Sequence, residues 1–283
     1  MHWFFVLGGI ITSIFPRSAC YKFAKFLAFL FFYFSKKDRD VVAYNLSAVV
    51  ENKEKVQIYV KEVFINFAYY LTDFFSSRKI DSDFIEKYVK IENLDNLENS
   101  FKKGKGVIAV SAHLGNYELA AAVVARLGYP ISVVALPHKE KRTNDFFDKR
   151  RKSSGMKVIP TGIAIKGCLA ALSSGGIIAL LGDRDFSKKG KIYEIFSRHA
   201  CIPRGIYFFS RKTDAAVIPC FLIRENVFFY RFILEKPMYC LEDTKEQVLV
   251  TQYLAVLEKY VKKYPGQWYI FEKYWLREES KKI

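Results

Sequence analysis

The chain has 283 residues, enough for one large α/β domain or two small ones. With 51% hydrophobic and 26% charged residues it builds a core, which excludes a disordered or low-complexity protein. The net charge of +16 calls for anionic partners: nucleic acid, anionic lipid headgroups or an acidic carrier protein. The cysteines Cys20, Cys168, Cys201, Cys220 and Cys240 are odd in number and lack a C-x-x-C pair, so a disulfide framework or zinc site is not expected. Reduced thiols in a cytosolic compartment fit best.

Residues 1–16 (MHWFFVLGGIITSIFP) carry no charged side chain, and a second apolar run, FLAFLFFYFS, follows at 26–35. Neither run alone reaches the roughly 20 apolar residues of a spanning helix. A tilted or shallow insertion and an interfacial helix both remain open. No basic region precedes the first run and no A-x-A site follows, so it does not read as a secretory leader. The basic residues come afterwards, at Arg17, Lys22, Lys25, Lys36, Lys37 and Arg39, which keeps the body of the protein on the cytoplasmic side. We therefore expect residues 1–35 to form a hydrophobic membrane-associated segment and residues 36–283 the functional domain. A helical hairpin packed on that domain is the plainer alternative.

Residues 38–100 show apolar positions at helical spacing. From residue 105 the texture changes. GVIAVSA (106–112) reads as a buried strand, and YELAAAVVARLG (117–128) as a helix closed by glycine. Strands are expected at ISVVAL, MKVIPT and GIIALLGD, with helices at about 142–154 and at GCLAALSSG between them. AAVIPCFLIR and VFFYRFIL read as two more strands, and 245–264 as a closing amphipathic helix. This alternation predicts an α/β fold: a central, mostly parallel sheet flanked by helices, behind an N-terminal helical segment.

The chemistry points to SAHLGNYEL (111–119). His113 ends a strand and Glu118 follows five residues later. In one helix they would stand about 140° apart; with His113 in the turn and Asn116 capping the helix, they are able to meet. Gly115 lets the chain bend sharply and approach a ligand. A neutral imidazole takes a proton from an alcohol, and a carboxylate on its other nitrogen fixes the tautomer. No G-x-S-x-G elbow offers a covalent serine, so a substrate hydroxyl is the expected nucleophile. By itself an H-x4-E spacing is a weak signal; a histidine at a strand end is more often structural.

GKGVIAVSAHLGNYELAA resembles the signature of the bacterial lipid A biosynthesis (late) acyltransferases, in the lysophospholipid acyltransferase superfamily with the His-x4-acid motif. Phosphatidylinositol-mannoside acyltransferases share the pattern. Further matches follow in order: Asn45-Leu46, TNDFFDKRRKSSGMKVI (143–159), GDRDF (182–186), IPRG (202–205), VIP (217–219) and PGQWYIFEKYW (265–275). The sequence departs at Ser197-Arg198, where the family shows Phe-Gly, and at Phe271-Glu272-Lys273, where His and Arg are common.

The resemblance implies a glycerol-3-phosphate acyltransferase-like fold. It implies transfer of a fatty acyl group from acyl-carrier protein or acyl-CoA to a hydroxyl of a membrane glycolipid, a lipid A precursor first among them. His113 would be the general base and Glu118 its partner, with no metal or redox cofactor. The substrate-binding candidates are Gly115, Asn116, Asn144, Arg150, Arg151, Asp183, Arg184, Asp185 and Arg204. The basic run at 139–157 reads either as a solvated helix face or as a platform for lipid phosphates or an acidic carrier. The expected setting is the cytoplasmic face of a bacterial inner membrane, against an anionic lipid surface. The alternatives are a lipid-binding protein without catalysis and a thioesterase-type hydrolase. Nucleic acid is not expected as a partner, since no helix-turn-helix, zinc finger or RNP motif is present.

Overall fold

The computed structural model describes residues 2–187 and 189–276. Met1, Lys188 and 277–283 lie outside the described residues, and with them the first residue of the expected 1–35 segment and the last seven of 36–283. Helices α1 (His2–Ile14) and α2 (Arg17–Phe34) are followed by α3 (Lys36–Leu46), α4 (Lys53–Phe75) and α5 (Ser82–Tyr88). The α/β body then runs β1 (Val89–Glu92), α6 (Leu94–Phe101), β2 (Val107–Ser111), α7 (Tyr117–Arg126), β3 (Ile131–Ala135), α8 (Lys141–Ser153), β4 (Lys157–Pro160), α9 (Ala164–Ser173) and β5 (Ile177–Leu181). A two-stranded antiparallel ribbon, β6 (Lys191–Ile195) and β7 (Arg198–Ile202), precedes α10 (Gly205–Thr213), β8 (Ala216–Arg224), β9 (Tyr230–Leu234) and α11 (Glu246–Lys263).

The seven-stranded sheet has the order β1-β9-β8-β2-β5-β3-β4. Every pairing is parallel except β8 with β9, so the expected α/β class and mostly parallel sheet are present. Central strands of such a sheet are covered on both faces, which is why β2 and β8 are buried at every position. Their side chains alternate between two cores. Ile108 and Val110 pack with Leu172, Phe221, Tyr253 and Trp268, while Val107 and Ala109 pack with Leu119, Val123 and Leu222. Trp268 and Trp275, in the closing segment, are buried in the first of these cores. Asn45 holds that segment in place: its amide donates to the carbonyls of Ile270 and Glu272, and its Oδ1 accepts from the Tyr274 N–H.

Among the described residues no helix is long and apolar enough to cross a membrane. Helix α1 has 13 residues, and the 18 residues of α2 include Arg17, Lys22 and Lys25. The two helices instead pack on the body by one face. Gly8 lies on the Phe75 ring and Gly9 on the Arg150 guanidinium, too close for a larger residue. Cys20, Tyr21, Ala24 and Ala28 form the buried stripe of α2. The opposite faces leave Trp3, Phe4, Leu7, Ile14, Phe23 and Phe26 exposed.

What fastens α2 is a buried carboxylate. Asp73 near the end of α4 pairs with Arg224 of β8 at 2.6 Å and accepts the hydroxyls of Tyr21 and Tyr230. Arg17 donates to the Tyr21 and Tyr230 hydroxyls, each at 2.8 Å, and stands 3.6 Å from Asp73. Burial pushes the Tyr21 phenol up to about 12, so it stays a donor at neutral pH. Removing one partner of a buried pair leaves the other charge uncompensated. Asp73→Ala is expected to cost roughly 3–5 kcal/mol of folding stability, read from the urea unfolding midpoint. A loss under about 1 kcal/mol would show that the network is not what holds α2 on the body.

Candidate active site

Parallel pairing of β2 with β5 sets Ser111 beside Leu181. Two residues beyond each, at the carboxyl edge of the sheet, stand His113 and Asp183, and this is where open α/β sheets collect ligands. Gly182 continues the pairing by donating its N–H to the Ser111 carbonyl at 2.8 Å. A Cβ at Gly182 would meet the Tyr253 ring at 2.8 Å, and the Tyr253 hydroxyl fills that space by donating to the same carbonyl at 2.9 Å.

Asp183 is fully buried and has three donors. The His113 ring Nδ1 stands 2.8 Å from Oδ1, the His113 backbone N–H donates to Oδ2 at 2.9 Å, and the Trp268 indole N–H donates to Oδ2 at 3.3 Å. Burial pushes the Asp183 carboxyl up, but the facing imidazole and these hydrogen bonds outweigh it and hold the group below its ordinary value. With Nδ1 committed to a carboxylate, the neutral ring carries its proton there and leaves Nε2 as the basic atom. Nε2 has no hydrogen-bond partner among the described residues. The ring is 14% exposed and is flanked edge-on by Tyr117 and Phe186, with centroids 5.6 and 6.2 Å away.

The turn after His113 is built from backbone contacts. The His113 carbonyl accepts from the Tyr269 N–H at 2.7 Å, Gly115 donates to the Gln267 carbonyl, and Asn116 donates to the Leu222 carbonyl. Gly115 adopts φ +66°, and any Cβ there would collide with the Leu222 carbonyl oxygen. Its small size therefore serves close packing of two chain segments. Asn116 caps α7 as expected, accepting from the Leu119 N–H at 3.0 Å, and its amide donates to Asp73 at 3.0 Å. It is buried and joins the α7 cap to the carboxylate that holds α2.

The expectation that Glu118 partners His113 is corrected by this geometry: the carboxylate on the ring is Asp183. With Asn116 at the cap, Glu118 falls in the first turn of α7 and meets α8, where Arg151 grips it through both Nε and Nη2, the shortest contact being 2.6 Å. Burial alone would lower the Arg151 pKa, but the Glu118 charge more than compensates and raises it. Arg151 also lies over the Phe74 and Phe147 rings. The buried Tyr70 and the half-buried Tyr117 sit beside this pair, their hydroxyls bonded to each other at 2.9 Å.

The remaining candidates separate. Asn144 accepts from the His138 N–H at 3.1 Å and donates to Asp148 at 3.1 Å, both within the α8 region. Arg150 turns away from Glu118 and donates to the Phe75 carbonyl at 2.6 Å. Arg184, next to Asp183, pairs with Glu272 at 2.6 Å and lies over Phe186. Asp185 ties its own loop, accepting from the Ser187 and Gly190 N–H groups. Arg204 is half-exposed and pairs with Glu246 at 2.8 Å, far along the chain from the other charges. The role missed by residue reading is that of Asp183 as the ring's partner. Trp268 was missed in the same way; strand register brings Asp183 to His113, and the closing segment after α11 brings Trp268.

The Asp183 carboxyl sits below the ordinary aspartate value of 3.8, so its ionised form stabilises the fold. That contribution is complete above pH 3.8 and is lost as the pH falls through the lower, folded-state value. Asp183→Asn removes it. Urea midpoints of wild type and variant are expected to differ most at neutral pH and to converge below pH 3.8; a gap that is constant with pH would overturn this account.

The family model for bacterial lipid A biosynthesis acyltransferases matches residues 1–277. Among curated proteins, the lipid A biosynthesis palmitoleoyltransferase of Escherichia coli (strain K12) is 24% identical over 187 residues, covering 65% of this chain and 60% of that protein. The lipid A biosynthesis acyltransferase of Shigella flexneri gives the same identity and coverage. The match thus spans about 60% of the length of these two relatives. The phosphatidylinositol mannoside acyltransferase of Mycolicibacterium smegmatis (strain ATCC 700084 / mc(2)155) is 21% identical over 222 residues, covering 76% of this chain and 71% of its own. With nearly its whole length matched, and with a histidine and a buried aspartate abreast at the carboxyl edge of a mostly parallel sheet, this chain belongs to the bacterial lipid A biosynthesis acyltransferase family.

Proposed function

We propose that the protein is an O-acyltransferase that moves a fatty acyl group from a thioester donor to a hydroxyl of a membrane glycolipid. The observation that carries this reading is the His113–Asp183 pair at 2.8 Å, with Nε2 left as a base beside the sheet's carboxyl edge. His113 Nε2 takes the proton from the acceptor hydroxyl as the oxygen attacks the thioester carbonyl. Asp183 keeps the other ring nitrogen protonated and offsets the charge of the imidazolium. Collapse of the tetrahedral intermediate breaks the C–S bond, and the imidazolium returns its proton to the departing thiolate. The product is an ester and a free thiol. The thioester is the cosubstrate in this reading, which calls for no metal or redox cofactor.

The choice of a lipid A precursor as acceptor follows from family membership, and a phosphatidylinositol mannoside is the other family acceptor. Acyl-carrier protein is favoured over acyl-CoA as donor because an acidic surface complements a chain with net charge +16. The exposed aromatic faces of α1 and α2 support contact with the cytoplasmic face of a bacterial inner membrane, lying on the bilayer rather than across it.

Labelled acyl-carrier protein or acyl-CoA, incubated with extracted bacterial glycolipids, tests the reaction. Wild type is expected to give labelled glycolipid, and His113→Ala to lower the rate by at least about 10²-fold. Asp183→Asn is expected to lower kcat by at least about tenfold with less change in KM, since it alters the ring's tautomer rather than substrate contact. Equal rates in wild type and His113→Ala would refute general-base catalysis. Release of free fatty acid, unchanged by added glycolipid, would assign the protein to hydrolysis instead.

A further inference from the structure

A cavity of about 250 Å³ lies between α1, the end of α4 and α8, away from the His113–Asp183 pair. Val6, Ile10, Phe75 and Phe146 give it an apolar lining. Three cations also line it: Arg78 and Lys79, both exposed in the turn after α4, and Arg150 of α8. Among the described residues none of the three has a carboxylate within ion-pair distance, whereas the neighbouring Arg151 is fully engaged by Glu118. Arg150 is held in place by the Phe75 carbonyl, by the Phe146 ring 5.1 Å away and by the close passage of Gly9. Burial, and then the Arg78 charge, push its pKa down.

Three converging cations with no acid among them fit a phosphate; an apolar wall directly beside them fits a hydrocarbon portion of the same ligand. The outer face of α1 continues that apolar surface through Leu7 and Ile14. We propose that this cavity binds the headgroup end of an anionic lipid, its phosphate on Arg78, Lys79 and Arg150 and its chain along Val6, Ile10 and Phe146. The proposal rests on the membrane-contact reading of α1 and α2 and does not depend on acyl transfer. Inorganic phosphate supplies the same charge without the apolar portion, so it is the ligand to be separated from a lipid.

Full-length protein is sedimented with vesicles of phosphatidylcholine alone and of phosphatidylcholine mixed with phosphatidylglycerol. The double variant Arg78→Gln/Lys79→Gln is compared with Lys102→Gln/Lys166→Gln, which removes the same charge from exposed positions outside the cavity. Wild type is expected to bind the mixed vesicles more tightly than the neutral ones. The cavity variant is expected to lose at least about tenfold on mixed vesicles, and the control less than about threefold. Equal losses in the two variants would refute the site in favour of general surface charge, as would wild-type binding by the cavity variant. Wild type that binds neither vesicle would refute the membrane-contact reading itself, whatever the outcome for acyl transfer. In a second measurement, calorimetric titration with a short-chain phosphatidate is expected to show saturable binding to wild type that the cavity variant loses. Inorganic phosphate binding equally well would overturn the assignment to a lipid.

Discussion

The site depends on one buried carboxylate. Asp183 has no contact with water, and its charge is tolerable only because the His113 ring, the His113 backbone and the Trp268 indole all donate to it. Those three donors come from β2's extension and from the closing segment after α11, so the carboxylate also fixes where the C-terminal part of the fold must sit. The arrangement has little freedom: a shift of one residue in the β2–β5 pairing would turn one of the two side chains to the opposite face of the sheet. Positioning of His113 against Asp183 is therefore a property of strand register.

A second buried carboxylate, Asp73, does for the helical layer what Asp183 does for the sheet edge. It gathers Arg17 and Tyr21 from α2, Arg224 and Tyr230 from two strands, and the Asn116 amide that caps α7. Glu118, two residues later, then fixes Arg151 and with it α8. The N-terminal helices, α7 and α8 are thus joined through hydrogen-bonded and ion-paired side chains that are buried or nearly so.

Much of this was legible in the residues. The strands β2, β3, β4, β5, β8 and β9 are short apolar runs set between helical patterns, and α11 is a long amphipathic stretch, so local pattern was enough for each. The Asn116 cap and the reversal at Gly115 followed from residue type. The two-stranded ribbon was not seen: β6 mixes charged and apolar residues and is mostly exposed, and the turn at Phe196 and Ser197 uses positive φ without a glycine. The short edge strand β1 was absorbed into a helical stretch. At the site, His113 and Glu118 drew together because they are near in sequence, while the true contact joins residues 70 positions apart. Spacing along a chain reports only local neighbours. Whether Glu118 or Asp183 meets His113 is decided by the order of strands in the sheet, and that order is set by packing across the whole body.

Arg17 and Tyr21 find their partner Tyr230 more than 200 residues further along the chain. A ribosome adding about 5–20 residues per second therefore leaves roughly 10–40 s in which the apolar N-terminal helices exist before the strand that fastens them. During that interval their whole circumference is uncovered, including the stripe that ends up buried. The seam around Asp73 cannot be complete until β9 has been made, since Tyr230 is one of its members.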